Sequence, residues 1–312
     1  MAAKKILVVG SANMDLSMNV FRVPAAGETV IDDGGVGYTP GGKGANAAMA
    51  LMKMGANAVL CAKLGQDVHG QRLYNYYKEM GMDTSCLKAD HDFPTGLAVV
   101  IKEADGQNRI VVYPGANSNL TTDNVMDAFE CNPDAVYIGF EIPFNIALTA
   151  AKVASAKGIP VFVDSAPAKR DHPLEALPPV EIFSPNETET EEYTGILPQG
   201  MESSLRAALS LYKRVKAKYI VIKQGSRGAF IYDGKHYDTL PAIRADKTVD
   251  TTAAGDAFTA ALVVEYLRNG GDIKSAVKYA NAAGAITVTR KGASSSVAND
   301  VEIRALLEKQ GL

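Results

Sequence analysis

Residues Val249 to Phe258 read VDTTAAGDAF, so Ala253, Ala254 and Gly255, three residues with almost no side chain, directly precede the carboxylate of Asp256. The helical pattern DAFTAALVVEYLRN follows, which puts the small residues where a loop enters a helix. The first turn of a helix carries unpaired N–H groups and positive dipole character, and bare backbone there lets an anion approach closely. Asp256, at the same helix start, should stay ionised and could accept the proton of a substrate hydroxyl lying between it and that anion. A hydroxyl so activated would attack a phosphoryl group. An aspartate alone at this position would only stabilise the helix start, by roughly 1 kcal/mol. That simpler role gives no reason for three small residues beside it.

Two other stretches bear on the same chemistry. In GGKGANAA, Gly41 and Gly42 bare the backbone, Lys43 offers a cation, and Asn46 offers amide donors and an acceptor, a set suited to a polyhydroxylated ligand. The same residues would also make a plain glycine-rich helix start with a solvated lysine. In SPNETETEE, Asn186 and Glu189 stand three apart, as in a helix capping pair; the alternative is a carboxylate that holds hydrated magnesium. Familiar nucleotide loops fail. GYTPGGKG aligns Gly37, Gly42 and Lys43 with a P-loop but has Gly44 where a hydroxyl must meet magnesium, and VVGSANMD lacks the glycine triplet of a dinucleotide fold.

These residues need a scaffold, and the apolar runs supply it. KILVVG, NAVLCAKLG, DAVYIGF, IPVFVDSAP, VEIFSPN and AKYIVIKQG read as buried strands, alternating with helical stretches such as KGANAAMALMKMG, VHGQRLYNYYKEMG and SSLRAALSLYKRVKA. The alternation predicts an α/β protein, a mainly parallel sheet with helices on both faces and ligands at the carboxyl ends of its strands. LSMNVFRVPAAGETVIDDG and TGLAVVIKEADGQNRIVVYPG carry strands without a helix between them, the second with Asp105-Gly106 placed as a hairpin turn. They predict a small β appendage on a single domain spanning 1–312, built from insertions at about 14–40 and 95–114, either a lid over the site or a pair of surface hairpins. YDGKHYDTLPAI predicts a later hairpin turning at Asp233-Gly234.

A 47% hydrophobic and 21% charged chain of 312 residues has ample material for a core. A net charge of −3 without a basic block argues against nucleic acid or an anionic membrane as partner, and for a small molecule. The odd count of three scattered cysteines argues against a disulfide scaffold and for a reducing cytoplasm. The four scattered histidines point to no zinc site.

With GSANMD, GGKGANAA, SPNETE, KQGSRG, DTTAAGDAF and VTRKGASSS in this order, nearly the whole chain resembles the ribokinase-like family of carbohydrate kinases. The resemblance implies ATP-dependent phosphorylation of D-ribose, with another pentose or a nucleoside as the alternative acceptor and a noncatalytic sugar or nucleotide sensor as the rival reading, and it implies Asp256 as base and Ala253, Ala254 and Gly255 as the anion hole. It implies Asn13, Asp15, Gly41, Gly42, Lys43, Asn46 and Glu141 as sugar ligands. Asn186, Lys223, Gly225, Ser226, Arg227, Gly228, Gly255 and Asn281 would meet the nucleotide, and Glu189 would support Mg2+ through water. K+ is the implied monovalent ion, held by Asp250, Thr252, Thr287, Arg290, Gly292 and Ser296, several through backbone carbonyls. Relatives often form homodimers through the lid strands. The family often has threonine in place of Lys223, histidine in place of Asn281 and asparagine in place of Asp164. The last change adds a negative charge where phosphates are expected.

Overall fold

The computed structural model describes residues 3–31, 34–103, 108–245 and 247–311. The chain opens with β1 (Lys5–Val9), β2 (Asn13–Val20), β3 (Gly37–Gly41), α1 (Lys43–Lys53), β4 (Asn57–Gly65), α2 (Val68–Glu79) and β5 (Leu87–Asp90). It continues through β6 (Gly96–Glu103), β7 (Asn108–Tyr113), α3 (Thr122–Ala128), β8 (Ala135–Gly139), α4 (Phe144–Ala156), β9 (Val161–Asp164) and β10 (Val180–Ser184). Then come α5 (Glu187–Thr194), α6 (Met201–Arg214), β11 (Ala217–Lys223), β12 (Ala229–Tyr232), β13 (Tyr237–Leu240), α7 (Ala254–Arg268), α8 (Ile273–Thr287) and α9 (Asp300–Gln310).

Among the described residues nine strands form one sheet in the order β13-β12-β11-β10-β9-β8-β1-β4-β5. From β11 to β5 every pairing is parallel, while β12 and β13 add antiparallel at one edge. The cause is legible in β1, whose Ile6, Leu7, Val8 and Val9 are all fully buried: a strand covered on both faces must be apolar at every position. Alternate side chains feed two cores. Ile6 and Val8 face the residues of α1, α7 and α8, whereas Leu7 and Val9 face those of α3, α4 and α6.

A second sheet, in the order β3-β2-β6-β7, is small and mixed. The hairpin pairing of β6 with β7 follows the sequence pattern, but β2 pairs with β6 in parallel, Asn13 opposite Gly96. The Asp105-Gly106 turn lies outside the described residues. The later hairpin joins β12 to β13 with Gly234 at φ 92°.

Helix starts differ in how their amides are satisfied. The side chains of Asp67, Asn186, Asp272 and Asn299 cap α2, α5, α8 and α9. At α1 and α7 the cap positions are Gly42 (φ 89°) and Ala253 (φ 58°), and neither helix has a side-chain cap. Both starts lie at the carboxyl end of the large sheet, and both carry residues singled out in the sequence.

Candidate active site

Ala253 is one of only two non-glycine residues at positive φ among those described, a conformation that costs free energy and has no Cβ-friendly alternative at so tight a turn. It turns the chain into α7 so that, among the described residues, the amides of Gly255 and Asp256 donate to no protein acceptor, while Ala254 N–H reaches Thr251 O at 3.2 Å. A row of bare donors at a helix start is an anion site. Asp256 lies in the same turn, buried, and accepts a hydrogen bond from Asn46 Nδ2 at 3.1 Å. Lys43 Nζ stands 3.8 Å from its other oxygen. Burial pushes the Asp256 carboxyl above the ordinary range, and the Lys43 cation opposes that shift. The Lys43 ammonium is in turn held charged, chiefly by Asp256. Asp256 can therefore act as a base of raised affinity for a proton, beside donors for the anion it would serve.

The sequence-predicted sugar ligands converge on the same spot. One oxygen of Glu141 accepts from Ser11 Oγ, from Lys43 N–H at 3.1 Å and from Asn13 Nδ2 at 3.3 Å. Asn13 Oδ1 accepts from Asn117 Nδ2 at 2.7 Å, and Asn117 also bonds the Ala12 backbone at 2.9 Å through Oδ1. Gly41 lies opposite Asn13 across β2 and β3, and a Cβ on it would sit 2.2 Å from the Asp15 carboxylate. A Cβ on Gly42 would meet Asn13 N at 2.7 Å. Close approach thus requires glycine at Gly41, and at Gly42 both close approach and a φ of 89° do. Burial, then Glu141 and Asp256, pushes the Asp15 carboxyl up to about 7. Unlike Asn13 and Glu141, Asp15 has no hydrogen-bond partner for its carboxylate among the described residues, and it faces the pocket that the others frame.

The nucleotide candidates lie on the other side of Asp256. Asn186 and Glu189 form the capping box: Glu189 N–H donates to Asn186 Oδ1 at 2.8 Å, and Glu189 accepts from Asn186 N at 2.9 Å and Nδ2 at 2.7 Å. Ser165 Oγ adds a fourth bond at 3.2 Å. Gly225, Ser226 and Arg227 make one 3-10 turn after β11, closed by Gly228 at φ 97°. A Cβ on Gly228 would strike Leu240 O at 2.0 Å, and Asn281 Nδ2 donates to Pro241 O at 3.0 Å, so turn, hairpin and α8 lock together. Arg227 ion-pairs with Glu187 and donates to Pro198 O at 2.6 Å. Lys223 and Asp164, two of the unusual residues, meet at 3.0 Å in a buried ion pair.

The monovalent-cation candidates fall on two adjoining loops and the end of α8, tied by Val249 N–H to Val288 O at 2.7 Å and by Gly292 N–H to Asp250 at 3.2 Å. Burial raises the Asp250 carboxyl, but donors from Thr252 and Gly292 outweigh it and hold the group low. The hydroxyls of Thr287 and Ser296 donate to Ala283 O at 2.8 Å and Ala293 O at 2.7 Å, and Arg290 pairs with Glu302 at 2.6 Å.

Residues 3–300 match the pfkB family carbohydrate kinase pattern. The chain belongs to that family. It is 34% identical over 310 residues to a ribokinase of Bacillus subtilis, covering 97% of this chain and 99% of the relative. It is 35% identical over 297 residues to a bifunctional ribokinase/ribose-5-phosphate isomerase A of Fructilactobacillus sanfranciscensis, covering 94% of this chain but 54% of that longer protein. The fold matches a solved structure of Arabidopsis thaliana ribokinase complexed with ribose and ATP, with a TM-score of 0.87, 31% identity and 99% of each chain covered. The architecture is accordingly ribokinase-like, as the alternating sequence pattern implied.

For this carbohydrate kinase, two frame residues had escaped sequence reading. Ser11 and Asn117 hold Glu141 and Asn13 in place. Asn117 sits in PGANSNL, a polar loop with no motif to mark it; only the fold brings it beside Asn13. Among the described residues no helix is long and apolar enough to cross a membrane.

Proposed function

We propose that this carbohydrate kinase transfers the terminal phosphoryl group of ATP to the terminal hydroxyl of D-ribose, giving ribose 5-phosphate. The observation that carries the reading is the first turn of α7, where a buried carboxylate and unpaired amides occupy the same few ångströms. Asp15, with a free carboxylate, takes a pair of sugar hydroxyls. Asn13, Lys43, Asn46 and Glu141 orient the rest, and the bare backbone of Gly41 and Gly42 lets the ring lie close. Asp256 takes the proton of the acceptor hydroxyl as it attacks. The anion hole of Ala253, Ala254 and Gly255 faces the charge that develops on the transferring group, with Gly255 N–H bare and Ala254 N–H exchanging Thr251 O for the anion.

The nucleotide lies along Asn186, Lys223, the Gly225–Gly228 turn with Ser226 and Arg227, Gly255 and Asn281. Glu189 suits Mg2+ held through water. Three of its roughly four lone-pair sites are used by Asn186 and Ser165, which leaves room for a hydrogen bond to a coordinated water. Bound there with ATP, the ion would neutralise phosphate charge. The oxygen-rich loops of Asp250, Thr252, Thr287, Arg290, Gly292 and Ser296 suit K+, which would steady the loop leading into α7. The small sheet, about residues 14–40 and 95–114 of the single domain, serves as a lid. Its edge strand β7 exposes Ile110, Val111, Val112 and Tyr113, an apolar edge that a second copy would cover in a homodimer. The enzyme works in the cytoplasm, consistent with its three free cysteines.

Asp256→Asn tests the reading. Single-turnover transfer from ATP to ribose should fall on the order of 10²- to 10⁴-fold, while ribose and ATP still bind by calorimetry. Near-normal turnover would remove Asp256 from the role of base.

A further inference from the structure

Asp164, Lys223 and Thr259 come from three different elements and meet beneath the anion hole. Asp164 Oδ2 accepts from Lys223 Nζ at 3.0 Å, from Thr259 Oγ1 at 2.8 Å and from Tyr137 Oη at 3.2 Å. Lys223 Nζ also lies 3.2 Å from Thr259 Oγ1, and Thr259 Oγ1 lies 3.2 Å from the Gly255 carbonyl. A Cβ on Gly255 would stand 4.0 Å from the Lys223 ammonium. Asp164 ends β9 and Lys223 ends β11, so their contact passes over β10, which lies between them. Ser184 ends β10 opposite Asp164; its small side chain, on the face of Ile182, leaves room for the bridge. A larger residue would fill it.

A buried ion pair gives little net stability over apolar replacements, so stability alone does not account for charges at this depth. We propose that Asp164, Lys223 and Thr259 form a charge-balanced positioning unit for phosphoryl transfer, tying the first turn of α7 to the ends of β9 and β11. This rests on Asp256 acting as the base. The unit offsets much of its own field, with Asp164 acting on Asp256 more strongly than Lys223 does. Both members act on Asp256 in opposite directions, Asp164 against its ionisation and Lys223 for it. The other groups facing Asp256 are Lys43 and Asn46 from α1, Asp15 from β2 and Tyr137 from β8, with Glu141 and Glu189 acting through Lys43.

The test is the acid limb of single-turnover transfer against pH, with ATP, magnesium and ribose saturating. Asp164→Asn leaves Lys223 unbalanced and should move the limb to lower pH. Lys223→Met leaves Asp164 unbalanced and should move it to higher pH. Shifts of about one pH unit, a tenfold rate change on the limb, are expected. Each single variant should also lose roughly tenfold in plateau rate, with little change in the ribose KM. The double variant should bring the limb back to its original pH and transfer faster than either single variant. Any other pattern overturns the proposal, including melting temperatures that drop while the limb stays fixed, which is the signature of a merely structural pair. If one single variant does not fold, the direction of shift in the other decides. Asp256→Asn in the same assay keeps the two readings apart, because its loss of transfer upholds the base whatever the pair does.

Discussion

The acceptor side and the nucleotide side of the site are built on opposite plans. On the acceptor side, Asn13, Asn117, Ser11 and Glu141 form a closed frame of hydrogen bonds, yet beside it the Asp15 carboxylate has no hydrogen-bond partner among the described residues, and burial raises both Asp15 and Asp256. On the nucleotide side nearly every polar side chain is already engaged: Asn186 with Glu189, Arg227 with Glu187, Asn281 with Pro241 and Lys223 with Asp164. The difference teaches where recognition resides. On the proposed reading, the sugar would meet side chains left free to receive it, whereas the nucleotide would meet backbone and turns whose side chains are occupied in holding them still.

Gly41→Ala should break this contrast most severely. The added methyl would displace the Asp15 carboxylate that now sits 2.2 Å from that position, lowering kcat/KM for ribose on the order of 10²-fold while calorimetry still finds ATP binding. Asp15→Asn sharpens the comparison through pH. The folded carboxyl titrates near 7 against an ordinary value of 3.8, so its contribution to stability is present below the ordinary value and is lost as pH rises through 7. Sugar-free Asp15→Asn protein should therefore melt about 5 °C higher than wild type near pH 8, with the gap closing at low pH, while its ribose KM rises. Wild-type ribose affinity should improve as pH passes through 7, because the ionised form accepts hydroxyl hydrogen bonds. The smallest effect belongs to Arg227→Ala. Its ion pair is partly exposed, so stability should fall by no more than about 1 kcal/mol, and the ATP KM should rise roughly twofold to fivefold. A rise of 100-fold would mean that its guanidinium meets the phosphates directly.

Much of this was readable from residues alone, for reasons that also explain the gaps. A strand buried on both faces leaves a continuous apolar run, which is why β1, β4, β8, β9, β10 and β11 stood out. β5, LKAD, is four residues at the sheet edge with two charges, and nothing in it distinguishes a strand from a loop. The parallel pairing of β2 with β6 joins residues 83 positions apart, Asn13 with Gly96 through Val20 with Glu103, which local patterns do not encode. At the site, motifs marked residues that lie on turns and helix starts. Asp164 and Lys223 were visible as misplaced charges, but their separation of 59 positions hid that each answers the other. Their strand positions held the clue, since each occupies the face of its strand shared with Phe162 and Val221, toward α7.

Only Gly10, Ser11 and Ala12 separate β1 from β2, so the small sheet grows out of the large one without a slack tether. Asn13 and Asp15 ride on β2 and Gly41 on β3. A tilt of this sheet that let bulk solvent reach Asp256 would carry the sugar clamp away with it. If the small sheet is the lid proposed above, the same carpentry that admits the sugar would discourage breakdown of ATP by water, because opening the roof would also take Asn13, Asp15 and Gly41 away from the acceptor.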